Sequence, residues 1–134
     1  MRATQSFQFI TLLTLLFVGG CDRGPETAQV SGAVSLDGKP LDDARVEFDH
    51  GDGTPPATLD ITQGHFTGEV KTGKKTVRFF ALRPSKPNPR LGPSDVQNPF
   101  DNILPDKYGY DSDLTLEVTA DAPPADLKYD LKSK

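Results

Sequence analysis

The sequence predicts an all-β fold, a sandwich of seven short strands that follows an N-terminal signal segment. Apolar and polar residues alternate with a period of two in seven segments. Turn signals separate these segments at intervals of about 8–12 residues. No segment shows helical spacing over ten residues. The chain has 134 residues, so about 114 follow the signal, which is enough for one domain with its own core.

The signal segment ends at the chain's single cysteine. Arg2 supplies a positive charge, residues 9–18 form an apolar run, and two glycines lead into Cys21. The run is about half of the ~20 residues that cross a bilayer, which argues against a transmembrane anchor. An ordinary signal peptide with an incidental cysteine is the other alternative. A single thiol in an exported domain forms no internal disulfide, in agreement with a modified Cys21.

Residues 18–21 (VGGC) resemble the lipobox of bacterial lipoproteins. The resemblance implies that residues 1–20 are removed and that Cys21 carries a covalent diacylglycerol and an acyl chain such as palmitate. This lipid is the only attached group that we expect, and it makes the bilayer a partner. The predicted location is the bacterial cell envelope, exported and membrane-anchored. Asp22 resembles an inner-membrane retention signal, but the choice between inner and outer membrane stays open.

The charge of the mature chain is acidic. Only one basic residue is lost with the signal, so about 14 lysines and arginines face 19 acidic residues, a formal charge near −5. That sign argues against nucleic acid as a partner and against basic-patch binding to anionic lipid. With no tryptophan and three tyrosines, the chain also lacks the aromatic surface typical of carbohydrate platforms.

Residues 21–27 are short and polar, as expected of a tether, and residues 28–134 form the predicted sandwich domain. Alternating apolar residues predict the first strand over residues 30–36. Asp37-Gly38 then predicts a tight turn, and the alternation over residues 44–49 predicts a second strand that completes a hairpin.

Five further strands follow the same alternation. The first two are joined by a turn at Gln63-Gly64. The third contains Phe79 and Phe80, which must point to opposite faces, so one of them lies outside the main core. The predicted strands are residues 57–62, 65–70, 76–82, 114–120 and 127–131.

Residues 83–105 form a long loop with six prolines, too many for a helix or a central strand. Loops longer than about 12–15 residues are uncommon in compact domains and are often functional. Basic and apolar side chains distinguish this loop from the acidic remainder, so it is the best candidate in the sequence for a partner-binding element. The alternative is a flexible cover over Phe79 or Phe80. The candidate contact residues are Arg83, Lys86, Arg90, Leu91 and Phe100.

Three segments resemble the opening of carboxypeptidase regulatory-like domains, which are transthyretin-like sandwiches. They are residues 30–34 (VSGAV), 36–41 (LDGKPL) and 44–48 (ARVEF). The resemblance implies a Greek-key-type sandwich of seven strands. It implies no particular activity.

Two later segments extend the resemblance. Residues 63–66 (QGHF) stand where the family has an Asp-Gly-Arg/Lys-Phe turn, and residues 71–77 resemble its Pro-Gly-x-Tyr-x-Val step. Thr72 replaces the usual proline of that step, and Lys75 replaces its aromatic residue. With the lipobox, the whole resembles small bacterial lipoproteins whose role is unassigned.

No catalytic residues are predicted. A Ser-His-Asp arrangement needs a histidine base, and only His50 and His65 exist. Transthyretin-like hydrolases of 5-hydroxyisourate end in Tyr-Arg-Gly-Ser, unlike residues 129–134 here. Intradiol dioxygenases hold iron with two tyrosines and two histidines. Tyr108 and Tyr110 complete that count, but the histidine spacing does not fit.

No metal site or other cofactor is predicted, although four aspartates are weak candidates for calcium. Calcium needs several oxygen ligands clustered in space, and the loop pattern of repeated aspartates is absent. Aspartate beside glycine is also ordinary turn chemistry. The four are Asp49, Asp52, Asp111 and Asp113.

The sequence therefore predicts a membrane-anchored envelope lipoprotein that serves as a non-catalytic binding or structural module. Two alternatives stay open. One is a metal-dependent or hydrolytic enzyme on a transthyretin-like sandwich. The other is an accessory subunit that docks an envelope protein through residues 83–105.

Replacing Cys21 by serine tests the anchor. We expect the wild-type chain, extracted from membranes, to begin at Cys21 and to carry added lipid mass, because the thiol is the attachment atom. The Cys21→Ser chain should lose that mass. Intact-mass spectrometry measures both, and an unlipidated wild-type chain would contradict the prediction.

Overall fold

The computed structural model describes residues 26–93, 95 and 97–133, and the predicted signal, Cys21 and most of the tether lie outside them. The described chain is all-β, as predicted. Its one helical element is a single 3₁₀ turn, Asp106–Tyr108. Within these residues, no helix has the length and apolar character needed to cross a membrane.

The described residues contain ten strands, so the prediction of seven is wrong in number. All seven predicted strands are present, and the three additional ones are two or three residues long. The strands are β1 (Thr27–Leu36), β2 (Lys39–Pro40), β3 (Ala44–Asp49), β4 (Ala57–Ile61), β5 (His65–Lys71), β6 (Gly73–Phe80), β7 (Leu82–Pro84), β8 (Phe100–Asn102), β9 (Thr115–Val118) and β10 (Leu127–Leu131).

The strands form two four-stranded sheets and one two-stranded ribbon. In the first sheet β1 is central, paired in parallel with β10 on one side and antiparallel with β5 and β2. The second sheet has the order β4-β3-β6-β9 and is antiparallel throughout. The ribbon is β7 paired with β8.

Side chains from both large sheets meet in one core, which makes the fold sandwich-like. The predicted alternation holds, because the inward residues of β1, β3 and β6 are buried while their neighbours are more exposed. Aromatic rings bridge the sheets: Phe48 lies 6.1 Å from Phe66, and Phe79 lies 4.9 Å from Tyr129, between ring centroids. Such pairs stabilise a core beyond the area they bury.

Gly32 sits at the crowded centre of the first sheet. It pairs with Phe66 of β5 and with Leu127 of β10. A Cβ atom at Gly32 would lie 2.6 Å from the Phe66 ring and 2.8 Å from the Leu127 carbonyl oxygen. Only glycine leaves room for both neighbours.

The predicted hairpin between the first two long strands is wrong. The turn itself forms, because Asp37 and Gly38 adopt positive φ angles of 51° and 81°, as a two-residue hairpin turn requires. Its second arm, however, is the short β2. The chain then crosses at Asp43, with φ of 51°, and β3 joins the opposite sheet.

The predicted separation of Phe79 and Phe80 is confirmed. Phe79 is in the core, whereas Phe80 is buried outside it. The guanidinium of Arg45 lies 5.5 Å from the Phe80 ring centre, and the Tyr110 ring lies 5.1 Å away. Residues beyond the proline-rich loop therefore contribute to the cover over Phe80.

The sandwich has two distinct ends. At the proximal end Glu26 leads into β1, and its carbonyl accepts a hydrogen bond from the Thr72 amide at 2.9 Å. The end of β5 pairs there with Thr27. At the distal end lie the Asp37-Gly38 turn and the end of β6, which continues into β7. The proline-rich loop therefore emerges at the end remote from Glu26.

We expect Gly32→Ala to lower the free energy of unfolding by about 1–3 kcal/mol, because the added methyl group overpacks against Phe66 and a backbone carbonyl. Urea unfolding measures the change. Gly92→Ala is the matched control, since its Cβ would meet no atom closer than 3.5 Å and should change stability by less than about 0.5 kcal/mol. Equal stability of the two variants would show that Gly32 is not crowded.

Candidate functional site

Exposed apolar residues concentrate in one part of the described chain, residues 82–110, which we name the distal segment. Phe100 is 49% exposed and Tyr110 is 81% exposed. Every large hydrophobic residue that is exposed within the described ranges belongs to this segment. They are Leu82, Leu91, Phe100, Ile103 and Tyr110.

The ribbon of β7 and β8 closes the base of the proline-rich loop. Leu82 pairs with Asn102, and Pro84 pairs with Phe100. The Ser85 amide adds a hydrogen bond of 2.9 Å to the Pro99 carbonyl. Between these fixed ends, the described residues of 85–99 contain no helix or strand. The loop is therefore held at its two ends by backbone hydrogen bonds.

Arg83 fastens the ribbon to the sandwich. Its guanidinium donates to the carbonyl oxygens of Asp43 at 2.7 Å and Asp42 at 3.0 Å. It also lies 3.6 Å from the Asp43 carboxylate, an exposed pair that adds little on its own. Hydrogen bonds from a charged donor are the stronger contribution here. Arg83 thus holds the site in place.

Asn102 is a positioning residue that the sequence reasoning missed. Its side-chain oxygen accepts hydrogen bonds from the amides of Ala81 at 2.9 Å and Leu104 at 3.3 Å. The Ile103 amide donates to the Ala81 carbonyl at 3.0 Å. These bonds satisfy backbone groups where the chain leaves β6 and where it returns beside the buried Leu104. An asparagine just before an apolar pair was the available signal.

The remaining predicted contact residues lie in the same segment. Lys86, Arg90, Leu91 and Phe100 are all exposed. Gln97 links the two sides of the loop, because its side-chain amide donates to the Lys86 carbonyl at 2.6 Å. Their role as partner contacts stays a prediction.

The four aspartates considered for calcium do not converge. Asp49 lies 2.7 Å from Arg78 and accepts a hydrogen bond from the Gly51 amide at 2.9 Å. Asp52 accepts from the Thr54 amide at 2.9 Å. Asp111 and Asp113 follow the 3₁₀ turn. Across the described ranges, no group of three or more histidine, cysteine, aspartate or glutamate side chains is placed to hold a metal ion.

The two histidines lie at opposite ends of the sandwich. His50 follows β3 at the proximal end, and His65 begins β5 at the distal end. The length of β5 separates those ends by about 20 Å, so they do not share one metal as the two-histidine, two-tyrosine arrangement requires. Burial lowers the pKa of His50, and the positive charges of Lys75 and Lys71 lower it further.

Lys75 occupies an inward position on β6 and is only 4% exposed. Its ammonium group donates to the Thr72 carbonyl at 2.9 Å, which supplies part of the hydrogen bonding that a buried charge needs. This is the position where the resembling family has an aromatic residue. The lysine stem fills the space, and the charged head reaches the corner between β5 and β6.

No protein-family model matches the sequence. No curated protein matches it either. Among solved structures, a DUF3823 family protein from Parabacteroides merdae ATCC 43184 is similar, with 12% sequence identity and a TM-score of 0.44. The match covers 83% of this chain and 47% of that one, so the present chain spans about half the length of that protein.

We expect Asp42 to make the stability of the fold depend on pH. Its carboxylate accepts hydrogen bonds from the Gln63 amide at 2.8 Å and the Asp43 amide at 2.9 Å, and these hold its pKa below the usual value. A lowered folded-state pKa stabilises the fold above the unfolded value of about 3.9, and the stabilisation is lost as the pH falls through the folded pKa.

Urea unfolding of wild type and Asp42→Asn tests this dependence. The variant should be less stable near pH 7, and the difference should shrink as the pH falls through the folded-state pKa of Asp42 and its carboxylate becomes protonated. Asp113→Asn is the control, because no hydrogen bond to the Asp113 carboxylate occurs within the described residues. A destabilisation of Asp42→Asn that is independent of pH would contradict the charge argument.

Proposed function

We propose that this chain is a lipid-anchored envelope protein that binds a partner protein through the distal segment, without catalysis. The observation that carries the proposal is the placement of the exposed large hydrophobic residues, which within the described ranges all belong to residues 82–110. Grouped exposed apolar residues are typical of interaction sites, whereas single scattered ones are not. The anchor at Cys21 and the envelope location are part of the proposal.

The positions of the two ends of the sandwich relative to Cys21 support this arrangement. Cys21 precedes Glu26 by five residues, which reach at most about 18 Å when extended. The anchor would therefore hold the proximal end near the bilayer. The ten residues of β1 add about 33 Å of strand. The distal segment would then face a partner beyond the lipid headgroups.

The chemistry of the distal segment specifies the kind of partner. Phe100 and Tyr110 are aromatic residues of the type enriched at interfaces. Lys86 and Arg90 are exposed, and residues 82–110 carry four lysines and arginines against three aspartates, a formal charge of +1 in an otherwise acidic protein. We infer a partner surface that is apolar at its centre and acidic around it, since complementary charge steers association and excludes wrong partners.

The family is also a proposal. We infer a transthyretin-like sandwich of the carboxypeptidase regulatory-like type, supported by the VSGAV, LDGKPL and ARVEF segments and by the positive φ angles at Asp37 and Gly38. The metal-dependent form of the alternative enzyme function requires metal ligands gathered in one place. Because His50 and His65 lie at opposite ends and no group of three candidate ligands is gathered within the described ranges, the binding function is favoured over a metal-dependent one.

A photo-cross-linking residue at Phe100 tests the partner in intact cells. We expect one discrete adduct from the full chain carrying the probe at Phe100, because this side chain is 49% exposed beside the ribbon. The same probe at Thr58, an exposed residue of β4, should give no such adduct. Immunoblotting detects the adducts.

Charge reversal then separates specific binding from chance proximity. Lys86→Glu with Arg90→Glu should lower the adduct yield from position 100 by about threefold or more, since rim charges act mainly on association. Equal adducts from positions 58 and 100, or an unchanged yield after charge reversal, would contradict the proposed interface.

A further inference from the structure

A groove lies along the outer face of β1. One part has a volume of about 640 Å³ and is lined by Ala33, His65, Asp60, Asp126 and Lys128, among others. An adjoining part of about 270 Å³ shares Ala33, His65 and Lys128. Because the two parts share these three residues, they adjoin along β1 and together make up the groove.

The sequence of β1 creates this groove. Its outward residues over the floor are small, namely Ser31, Ala33 and Ser35, and all three are half-buried. The neighbouring strands carry longer outward side chains, with His65 on β5 and Lys128 on β10. Because the outward side chains of β1 are short and those of the two flanking strands are long, a channel remains along the strand direction.

The dimensions fit an extended chain. The groove follows β1 from Ser31 to its end at Leu36, beside the turn at Gly38, about 17 Å at the rise of a strand. That length matches an extended segment of about five residues. Phe66 contributes to the lining of the groove, but its ring packs in the core against two other aromatic rings and is only 3% exposed, so it offers no open face for a sugar to stack on. Backbone approach over small side chains favours a polypeptide.

The walls carry a negative charge. Asp60 and Asp126 line the larger part of the groove, and neither forms an ion pair within the described ranges. Asp130, in the adjoining part, accepts a hydrogen bond from the Ser35 hydroxyl. Lys128 is the one basic residue shared by both parts. Charge complementarity therefore favours a ligand with a positive side chain.

We propose that this groove binds an extended polypeptide segment from another protein, with a lysine or arginine of that segment placed between Asp60 and Asp126. Asp60 belongs to β4, which leads into β5 on one side of β1, and Asp126 immediately precedes β10 on the other side. None of the residues that line the groove belongs to residues 82–110, although Asp60 also lies beside Leu82 of the distal segment. The peptide site is therefore tested without relying on the proposed partner interface.

Fluorescence anisotropy with a defined peptide tests the groove. The probe is a fluorescein-labelled heptapeptide of serine and threonine with one central lysine, and its pair carries glutamine instead. We expect the full chain in detergent micelles to bind the lysine peptide saturably and about three- to tenfold more tightly than the glutamine peptide, which corresponds to two exposed ion pairs.

Two sets of variants locate the binding. Asp60→Asn with Asp126→Asn should remove the preference for lysine, and asparagine tolerates the positive φ of 54° at Asp126. Ala33→Lys should weaken binding at least about tenfold by filling the floor. The matched controls are Asp111→Asn with Asp121→Asn and Thr58→Lys, which make the same charge changes outside the groove and should leave binding unchanged.

Several outcomes would overturn the proposal. These are the absence of saturable binding up to about 1 mM lysine peptide, equal affinity for the two peptides, and equal losses in the control variants, which would indicate general electrostatic attraction. Circular dichroism checks that each variant is folded. If Ala33→Lys does not fold, the isosteric pair of aspartate variants still decides the result.

Discussion

The closure of this sandwich depends on the missing side chain at Gly32. The Phe66 ring occupies the space that a Cβ atom would need. From that position it lies 6.1 Å from Phe48 and 6.4 Å from Tyr129, and Tyr129 in turn lies 4.9 Å from Phe79. These four rings form a continuous contact from one sheet to the other. Any residue larger than glycine would displace the ring through which the sheets meet.

Tight corners allow these rings to face each other. The chain passes from one sheet to the other at Asp43, at the Gln63-Gly64 turn and at Thr72, and each of these connections is only a few residues long. Asp43, Gln63 and Gly64 all have positive φ angles, which bend the backbone sharply. Arg83 then donates to carbonyls beside the first corner. The distal ribbon is thereby attached to the same bend that separates the sheets.

Strand positions and faces could be predicted from the sequence, because alternation reports which side chains turn inward. Val46 and Phe48 are buried as their spacing indicates. Which sheet each strand joins could not be predicted from the sequence, since alternation carries no information about which strand pairs with which. The hairpin expected after Asp37 failed for that reason. The bonds of Arg83 were equally hidden, because they join residues 40 positions apart.

Because the ribbon of β7 and β8 fixes both ends of the proline-rich loop, the sequence and length of that loop can change without changing the fold of the sandwich. Residues 85–99 begin and end at two paired strands that are fixed independently of what lies between them. Loop-closure entropy rises only slowly with length. Evolution can therefore lengthen, shorten or rewrite this stretch while the scaffold keeps folding, and an engineer can graft a foreign sequence there on the same terms.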